Sequence, residues 1–259
     1  MTQMRPLVMA HRGGTALWPE NTMYAFERAV ALGVDVLEMD MRATADNHLV
    51  VIHDSTVDRT TNGRGAVSSL TLEELKRLDA GYNWSQDGGR SFPFRGRGLS
   101  VPTLAEVFAA FRGVRLNIDI KQEYPSIVQP FCSMIRAHGM EGKVMVASFN
   151  QSSLDEFRAA CSEVATSGSV LDIRAFLALK TEEAKTERSR AIRALQVPEY
   201  AGGRQLLTQA FIAEAHRRGL EVHAWTINDE PAMRRLIELQ VDGIITDYPD
   251  RLLQLLKRR

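Results

Sequence analysis

The sequence predicts an α/β protein in which a parallel sheet closes into an eight-stranded barrel. Apolar, β-branched runs alternate with helical patterns almost from end to end, which is typical of repeated βα units around a parallel sheet. The chain has 259 residues, and α/β barrels of about 250 residues commonly form one domain. Its hydrophobic fraction of 44% is ordinary for a protein with a full core.

The strand candidates number nine and cover Leu7–His11, Val36–Asp40, Leu49–Asp54, Leu116–Lys121, Val144–Phe149, Val164–Ser169, Ala194–Val197, Glu221–Thr226 and Gly243–Asp247. Helical patterns lie between most of them, at Asn21–Leu32, Leu104–Phe111, Ser126–Ala137, Ser152–Cys161, Thr208–Arg218, Pro231–Leu239 and Arg251–Lys257. Two capping boxes mark helix starts, Thr103 with Glu106 and Thr71 with Glu74. Glycines follow three helical runs, as C-cap residues do, at Gly33, Gly139 and Gly219.

Nine strands are one too many for the barrel, and the second and third candidates resolve the excess. Only eight residues separate Asp40 from Leu49, which is too few for a parallel crossover. A two-residue turn at Asp46-Asn47 suits a hairpin and would place Asp40 opposite His53. Directly opposed residues share a face of the sheet, so we expect an arm that folds over the barrel mouth and brings a carboxylate and a histidine together.

The alternation of strands and helices breaks between Ser55 and Ser100. This stretch is rich in glycine, has one short helical pattern at Thr71–Leu78, and is too long for an ordinary βα loop. We expect a small insertion, residues 55–100, at the mouth of a barrel formed by residues 1–54 and 101–259, all within one domain of residues 1–259. A second irregular region, Leu171–Arg193, is predicted as a crossover helix, with a lip against an apolar part of a substrate as the alternative.

Carboxylates gather at the ends of two predicted barrel strands. Glu38 and Asp40 are two residues apart on a buried strand and therefore point to one face, which at the carboxyl end of a barrel strand is the mouth. Two converging carboxylates repel each other unless a cation lies between them, and oxygen ligands suit Ca²⁺ or Mg²⁺. Asp119 offers a third oxygen ligand from the next barrel strand, and Lys121 shares its face.

Two histidines also end apolar runs. His11 and His53 each lie beside a charged residue and near the carboxylate pair, which favours acid–base chemistry. Arg12 offers a planar fork for phosphate oxygens. His223 shares a strand face with Trp225, and whether it reaches the mouth is left open. The remaining histidines are predicted at the surface, at His48, His138 and His216.

Composition excludes several classes of function. The chain has 32 basic and 32 acidic residues and a formal net charge of zero, which argues against a broad nucleic-acid-binding surface. It lacks the motifs GxxxxGK[ST], GxSxG and HExxH, so P-loop, serine-hydrolase and zinc-peptidase chemistry have no support.

The two cysteines, Cys132 and Cys161, have no metal-ligand spacing and are predicted as small buried hydrophobic residues. With no membrane-length apolar run and a first strand close to Met1, we expect no stable membrane insertion and a cytoplasmic protein.

The order and spacing of these motifs resemble the glycerophosphodiester phosphodiesterase family over nearly the whole chain. The matching segments include Ala10-His11-Arg12-Gly13-Gly14, Pro19-Glu20-Asn21-Thr22, Glu38-Met39-Asp40, Val50-Val51-Ile52-His53-Asp54, Asp58-Arg59-Thr60-Thr61, Val101-Pro102-Thr103-Leu104, Ser148-Phe149-Asn150, Trp225-Thr226-Ile227-Asn228 and Asp242-Gly243-Ile244-Ile245-Thr246-Asp247-Tyr248-Pro249. The match is weakest from Gly168 to Glu199.

The resemblance implies a (β/α)8 TIM barrel with a small insertion after the second histidine. It implies hydrolysis of glycerophosphodiesters, such as glycerophosphocholine and glycerophosphoethanolamine, to sn-glycerol 3-phosphate and an alcohol, with one divalent metal ion, Ca²⁺ or Mg²⁺. By motif position, His11 and His53 are the acid–base pair, and Glu38 and Asp40 are metal ligands.

By the same correspondence, Arg12 and Lys121 are phosphate contacts, and Trp225 is expected to contact the substrate. The family usually places Glu where this chain has Asp119. Aspartate is one methylene shorter, which bears on metal affinity and ion choice but not on the class of reaction.

Two other interpretations stay open in the sequence. A lysophospholipase D-type enzyme would use the same site on an apolar substrate, with a rim of Trp84, Phe92, Phe94 and Leu171–Leu179. We favour packing of these aromatics inside the insertion, since isolated aromatic side chains usually pack. A non-catalytic phosphodiester-binding barrel is disfavoured because it would normally have lost part of the histidine and carboxylate set. The sequence fixes neither the head group, the oligomeric state nor the histidine that acts first as base.

Overall fold

The barrel strands close into a ring of eight parallel strands in a computed structural model, which describes residues 5–178 and 192–258. The eleven described strands are β1 Leu7–Ala10, β2 Val36–Ala43, β3 Leu49–Val51, β4 Arg115–Ile120, β5 Val144–Ala147, β6 Ala165–Ser167, β7 Ile192–Pro198, β8 Tyr200–Ala201, β9 Arg204–Gln205, β10 Glu221–Trp225 and β11 Gly243–Thr246. The ring runs β1, β2, β4, β5, β6, β7, β10, β11 and returns to β1. The chain is therefore a (β/α)8 TIM barrel, as predicted.

Helices cover the outside of the ring. The nine described α-helices are α1 Met23–Leu32, α2 Leu72–Lys76, α3 Leu104–Ala110, α4 Val128–His138, α5 Gln151–Ala160, α6 Val170–Ala178, α7 Gln209–Arg217, α8 Glu230–Glu238 and α9 Pro249–Leu255. Both predicted capping boxes are present, at Thr71 and Thr103. The helix predicted at the start of Leu171–Arg193 is α6, and the rest of that prediction falls on residues 179–191, outside the described residues.

Two hydrophobic clusters fill the space between sheet and helices. One packs α1 and α3–α5 against the strands from β2 to β5 around fully buried phenylalanines, Phe26, Phe108, Phe131 and Phe157. The other packs α7–α9 against β7, β10 and β11. Burial of this apolar surface stabilises the fold, at roughly 25 cal/mol per Å² removed from water, and holds the strand ends in fixed positions.

The predicted hairpin is present, but its predicted register is wrong. β3 pairs antiparallel with β2, and Met41, Arg42 and Ala43 face Val51, Val50 and Leu49. The backbone N–H of Ile52 donates to the carbonyl of Asp40, so Asp40 lies opposite Ile52 instead of His53. The loop has three residues, 45–47, closed by a bond from Thr44 N to His48 O.

The physical reason for the register is the backbone of the loop. A two-residue type I′ turn at Asp46-Asn47 would need a positive φ at both residues, but of the two only Asn47, at 61°, has one. Asn is tolerated in this left-handed region, where the last residue of a three-residue hairpin loop commonly lies. β3 ends at Val51, and the chain then turns at His53. His53 and Asp40 consequently reach the same pocket without facing each other across the ladder.

Residues 55–100 contribute no strand to the ring. They contain a 3-10 helix at Val67–Ser69 and α2. A small apolar cluster joins this stretch to β3, and includes Val50, Ile52, Val57, Val67, Leu75, Ala80 and Val101. The segment leaves and returns beside β3, where Val50 bridges Thr103 and Val51 N donates to Pro102 O. Its treatment as a separate insertion remains our proposal.

The aromatic residues of this stretch pack against one another and against the neighbouring chain. Trp84 and Phe94 pack edge to face with ring centroids 5.0 Å apart, and Trp84 donates to the carbonyl of Thr15. Arg95 lies over the Phe92 ring. None of the three aromatics lines the mouth pocket described below. The packing interpretation is therefore favoured over a rim made of these side chains.

A disulfide joins the outer helices α4 and α5. Cys132 lies in α4 and Cys161 follows the last residue of α5, with their Cα atoms 5.8 Å apart. Both residues are buried, as predicted, but the sequence did not predict the bond between them. Within residues 5–178 and 192–258, no helix is both long and apolar enough to cross a membrane.

Candidate active site

One pocket of about 610 Å³ opens at the carboxyl ends of the barrel strands. This is the end at which barrel enzymes place their active sites, and the volume is within the usual range for small-molecule sites. All eight residues singled out in the sequence line it, namely His11, Arg12, Glu38, Asp40, His53, Asp119, Lys121 and Trp225. The fold therefore brings together side chains that are more than 200 residues apart in the chain.

His11 leaves β1 in a tight turn and is held by Asp247. A 3-10 helix spans His11–Gly13, with Arg12 in the left-handed region at φ 50°. His11 Nδ1 lies 2.6 Å from Asp247 Oδ1, and Asp247 also accepts from Asn228 Nδ2 at 2.6 Å. Burial disfavours the imidazolium, but the bond to Asp247 and the charge of Glu38 outweigh it, so the pKa of His11 is raised. The other ring nitrogen, Nε2, is thereby left to face the pocket.

His53 is held in a similar way by its neighbour in the chain. Its Nδ1 lies 2.6 Å from Asp54 Oδ1. Arg59 donates to Asp54 through Nε at 2.7 Å and Nη2 at 3.1 Å. These hydrogen bonds from Arg59 hold the pKa of Asp54 far below its usual range, against the opposing effect of burial. Asp54 is therefore ionised and can orient and stabilise a charged His53.

A chain of ion pairs runs from the His53–Asp54 pair to Asp40. Arg59 also donates to Glu20, at 2.7 and 2.8 Å, and Glu20 accepts from Arg12 at 2.9 Å. Burial would raise the pKa of Glu20, but Arg59 and Arg12 together lower it. Arg12 Nε in turn lies 3.1 Å from Asp40 Oδ2. The charges at one side of the pocket thus form one continuous network.

The predicted metal ligands lie in the middle of this network. Glu38 accepts from the backbone N–H of Arg12 at 2.9 Å. Burial, and then repulsion by Asp40, raise the pKa of Glu38 to about 7. Asp40 keeps a lowered pKa although it is buried, because Lys121 and Arg12 favour its charge. Lys121 Nζ lies 3.2 Å from Asp40 and 2.6 Å from Asp119, and burial raises the pKa of Asp119.

The donor chemistry of this cluster fits a hard divalent cation. Asp119 Oδ1 and Asn21 Oδ1 are buried and lack a hydrogen-bond partner among the described residues, which is uncommon for buried polar atoms. Three buried carboxylates also repel one another, and a divalent ion would relieve that repulsion. Within the described ranges, the oxygens of Glu38, Asp40 and Asp119 are not all within 4.8 Å of one another. The Lys121 ammonium lies between Asp40 and Asp119 and supplies the counter-charge there.

The histidines outside this set take no part in the pocket. His223 is buried below it, beside Gln196 at 3.3 Å and Glu221 at 3.2 Å. It does not reach the mouth, whereas Trp225, two residues nearer the carboxyl end of β10, does. The three histidines predicted at the surface do not line the pocket either, namely His48, His138 and His216.

Four residues near the histidines had no role assigned from the sequence. Asp247 follows β11, and a search for charged residues at strand ends would have found it. Asp54 was noted only as part of a motif. Glu20 and Arg59 lie in loops far apart in the sequence, and no local pattern signals that they meet.

Comparison with known proteins identifies the family. The model of the glycerophosphoryl diester phosphodiesterase family matches residues 11–251. The chain belongs to this family. It is 36% identical to a glycerophosphodiester phosphodiesterase of Caldanaerobacter subterraneus subsp. tengcongensis, over 98% of this chain and 99% of the relative. Members of the family are phosphoric diester hydrolases, and this glycerophosphodiester phosphodiesterase family member is an enzyme of that class.

Solved structures agree with the barrel of this family. The crystal structure of glycerophosphodiester phosphodiesterase from Agrobacterium tumefaciens superposes with a TM-score of 0.77 at 25% identity, covering 96% of this chain and 99% of that one. A phosphodiesterase of Oleispira antarctica, in complex with the product sn-glycerol-3-phosphate, has the same fold, with a TM-score of 0.77, 23% identity and coverage of 98% and 97%.

Proposed function

We propose that the protein hydrolyses glycerophosphodiesters, such as glycerophosphocholine and glycerophosphoethanolamine, to sn-glycerol 3-phosphate and an alcohol. One observation carries the proposal. Two histidines, His11 and His53, each lie 2.6 Å from a carboxylate oxygen in a pocket that also holds Arg12 and Lys121. Cleavage of a phosphodiester needs a proton removed on one side of phosphorus and delivered on the other, and this set supplies both functions.

In the proposed reaction, one histidine removes the proton of the glycerol hydroxyl next to the phosphate while that oxygen attacks phosphorus. The other histidine protonates the oxygen of the departing alcohol as its bond to phosphorus breaks. Water then opens the resulting cyclic phosphate, with the two histidines in exchanged roles. The carboxylates of Asp247 and Asp54 would hold each imidazole in the tautomer whose Nε2 meets the substrate.

Cationic groups are proposed to bind the phosphate oxygens. Arg12 and Lys121 line the pocket beside the histidines. Burial lowers the pKa of both groups, but the charges of nearby carboxylates, Asp40 among them, outweigh it and raise the two pKa values. Trp225, which packs against Phe149 with ring centroids 5.6 Å apart, would contact the carbon skeleton of the substrate.

We further propose that Glu38, Asp40 and Asp119 hold one Ca²⁺ or Mg²⁺ ion. Such an ion would supply positive charge to the phosphoryl oxygens and lower the pKa of a bound hydroxyl. The protein's own part is to present buried oxygens, of which Asp119 Oδ1 lacks a partner. The shorter reach of Asp119 compared with Glu bears on which ion is preferred.

The test begins with protein from which metal ions have been removed by a chelator. Ca²⁺, Mg²⁺ or Mn²⁺ is then added back singly, and the release of sn-glycerol 3-phosphate from glycerophosphocholine is measured. We expect metal-dependent turnover. His11→Ala and His53→Ala should each lower the rate by ~10²–10⁴-fold, whereas His48→Ala, which changes an exposed histidine in a hairpin loop, should not. Near-normal turnover of either pocket variant would reject the assignment of that histidine.

A second candidate function has one observation in its favour. Val170 and Leu177 of α6 line the pocket and are 40% and 53% exposed, so an apolar lip borders the mouth, as a lysophospholipase D-type substrate would require. Turnover of lysophosphatidylcholine at a rate above that of glycerophosphocholine would favour this function. Substitution of Leu177 by Gln would then weaken only the lipid reaction.

A further inference from the structure

The pocket has a second wall, opposite the histidines. In the ring of eight strands, β6 is four strands from β1, and β7 is four strands from β2. The histidines, carboxylates and cations proposed for chemistry lie in or directly after β1–β4. The chain after β6 and β7 therefore forms the opposite side of the mouth. We define this far wall as the pocket-lining residues of α6 and of the β8–β9 hairpin, namely Val170, Ile173, Arg174, Leu177, Ala201, Arg204 and Gln205.

The charges of the two sides differ. Among the described residues that line the pocket, the acidic ones are Glu38, Asp40 and Asp119, all on the side of the histidines. The charged residues of the far wall are Arg174 and Arg204. In the described part of the chain, neither arginine has an ion-pair or hydrogen-bond partner for its side chain.

Nearby carboxylates do not neutralise these two arginines. Asp172 of α6 pairs with Arg158 at 3.0 Å, in a contact where both side chains are 7% exposed. Glu199, which precedes the hairpin, accepts from Arg235 Nε at 2.9 Å. Asp172 and Glu199 thus pair with Arg158 and Arg235 and not with the arginines of the far wall. The far wall keeps a positive charge that faces the pocket.

Local structure fixes the backbone positions from which both exposed arginine side chains extend. Residues 170, 173, 174 and 177 follow the i, i+3, i+4, i+7 spacing of one helix face, while Phe176 is buried on the other side of α6. The hairpin turns at Gly202 and Gly203, with φ of 57° and 77°, as a two-residue type I′ turn requires. Arg204 pairs with Ala201 directly after this turn. Such prior ordering reduces the entropy cost of binding a ligand.

We propose that the far wall is a subsite for the alcohol part of the substrate, and that it selects glycerophosphodiesters whose alcohol carries a further phosphate or carboxylate. The inference rests on the proposed function. With the phosphodiester beside the histidines, its second substituent crosses the mouth towards Arg174 and Arg204. A guanidinium group binds phosphate and carboxylate through paired N–H groups, whereas a choline or ethanolamine cation would meet two like charges.

An acyl chain fits this wall less well. It would remove water from both guanidinium groups without giving them an acceptor, and unpaired burial of a charged group costs free energy. The apolar members of the wall, Ile173 and Leu177 among them, are instead suited to contact the carbon ring or chain that bears the anionic group.

The test compares glycerophosphoinositol with glycerophosphoinositol 4-phosphate, two substrates that differ by one phosphate. We expect kcat/KM of the full-length enzyme to be about tenfold higher for the phosphorylated substrate, mainly through a lower KM. The preference should shrink as salt is raised, because exposed charges are screened.

The decisive comparison uses a double variant, Arg174→Gln with Arg204→Gln. Its ratio of kcat/KM values should fall towards one. A matched control, Arg5→Gln with Arg115→Gln, removes the same charge from exposed arginines at the amino ends of β1 and β4, and its ratio should equal that of the unaltered enzyme. Equal kcat/KM for the two substrates, or a preference that persists in the Arg174/Arg204 variant, would overturn the proposal.

Binding of the same two compounds, measured by calorimetry with the chelated protein, separates the subsite from the activity. The proposed function fails if neither compound is hydrolysed with any metal ion. The subsite still stands in that case if the phosphorylated compound binds more tightly and this difference is lost in the Arg174/Arg204 variant. Equal binding of both compounds would overturn the subsite, whatever the outcome of the activity assay.

Discussion

Each histidine of the pocket owes its chemical character to a carboxylate that the fold places beside Nδ1. Asp54 reaches His53 as its neighbour in the chain, whereas Asp247 reaches His11 across the closure of the ring between β1 and β11. The two histidines therefore have the same kind of partner but differ in how that partner is brought to them. A substitution that displaces Asp247 where β11 pairs with β1 would change the contact of His11 but not that of His53.

Replacing Asp247 by Asn tests this dependence. Burial and the neighbouring Arg12 lower the pKa of His11, and the contact with Asp247 raises it, so the variant should have a lower His11 pKa. We expect kcat/KM to fall about 10²-fold, and the limb of the pH–rate profile that reports His11 to move to lower pH. A profile of unchanged shape, with only its height reduced, would contradict the role of Asp247.

The carboxylate cluster makes a prediction that does not need turnover. If Glu38 ligates a divalent ion, adding Ca²⁺ or Mg²⁺ to chelated protein should raise Tm, since an ion at 100 times its Kd stabilises by ~2.7 kcal/mol, or roughly 5 °C for a chain of this size. Glu38→Gln should abolish the rise. Glu238→Gln, which alters an exposed carboxylate of α8, should keep it. A full metal response in Glu38→Gln would remove Glu38 from the ligand set.

Sequence reasoning locates functional residues that lie at strand ends and misses functional residues that loops bring to the site. The strand-end rule located His11, Glu38 and Asp119 because parallel strands end at one edge of a barrel. Glu20 and Arg59 were missed as functional residues because their contact depends on how two irregular segments fold over the mouth. The directions of pKa shifts also depend on burial, which a sequence does not give.

The turn after β1 is the element on which the position of His11 depends. Gly13 has φ 87°, and a Cβ built there would lie 2.8 Å from the Cβ of Ala25 in α1. Gly33, after α1, has nearly the same φ, 88°, with no atom within 4 Å of such a Cβ. The two glycines share a backbone conformation and differ in the space around them.

Alanine substitution at each glycine separates the free-energy cost of backbone strain from that of steric overlap. Gly33→Ala should cost about 1–2 kcal/mol for a left-handed L-residue. Gly13→Ala should cost that amount plus a further ~1–3 kcal/mol, because it overpacks the contact with α1. Urea unfolding at equilibrium measures both. Equal losses would mean that α1 moves aside at little cost.

The hairpin illustrates the limit of prediction for elements. The short link between β2 and β3 excludes a parallel crossover, so the hairpin followed from chain length alone. Its register required the loop length, and a two-residue turn and a three-residue turn fit the sequence equally well. The backbone of Asp46 decides between them, because it lacks the positive φ that a type I′ turn at Asp46-Asn47 needs. The partner of Asp40 is consequently Ile52 and not His53.

At the scale of the whole molecule, the disulfide between Cys132 and Cys161 ties two adjacent outer helices. The bond closes a sequence separation of 29 residues, and cross-links of this kind typically stabilise by ~2–4 kcal/mol. We expect Tm to fall in reductant and in the Cys132→Ala, Cys161→Ala double variant to a similar extent, while kcat changes little because the pocket lies elsewhere. Alkylation of both cysteines in denatured, unreduced protein would contradict the bond.

The same bond bears on the cytoplasmic location expected from the sequence. Disulfides persist mainly in oxidising compartments and are rare in the cytosol. The expectation of a cytoplasmic protein rests on the position of the first strand and on the lack of a membrane-length apolar run, and neither observation bears on a disulfide. The redox state of Cys132 and Cys161 in protein trapped directly from cells is the measurement that tests it.

The two ends of residues 55–100 lie close together beside β3. The bridge between Val50 and Thr103 and the bond from Val51 N to Pro102 O hold them there. Because the cost of closing a loop grows only slowly with its length, the part of this segment after Arg59 could become shorter or longer while β3 and Arg59 still hold His53 and Asp54 in place. No residue of 60–100 lines the pocket, so such a change in length would leave the surface that meets the substrate unaltered.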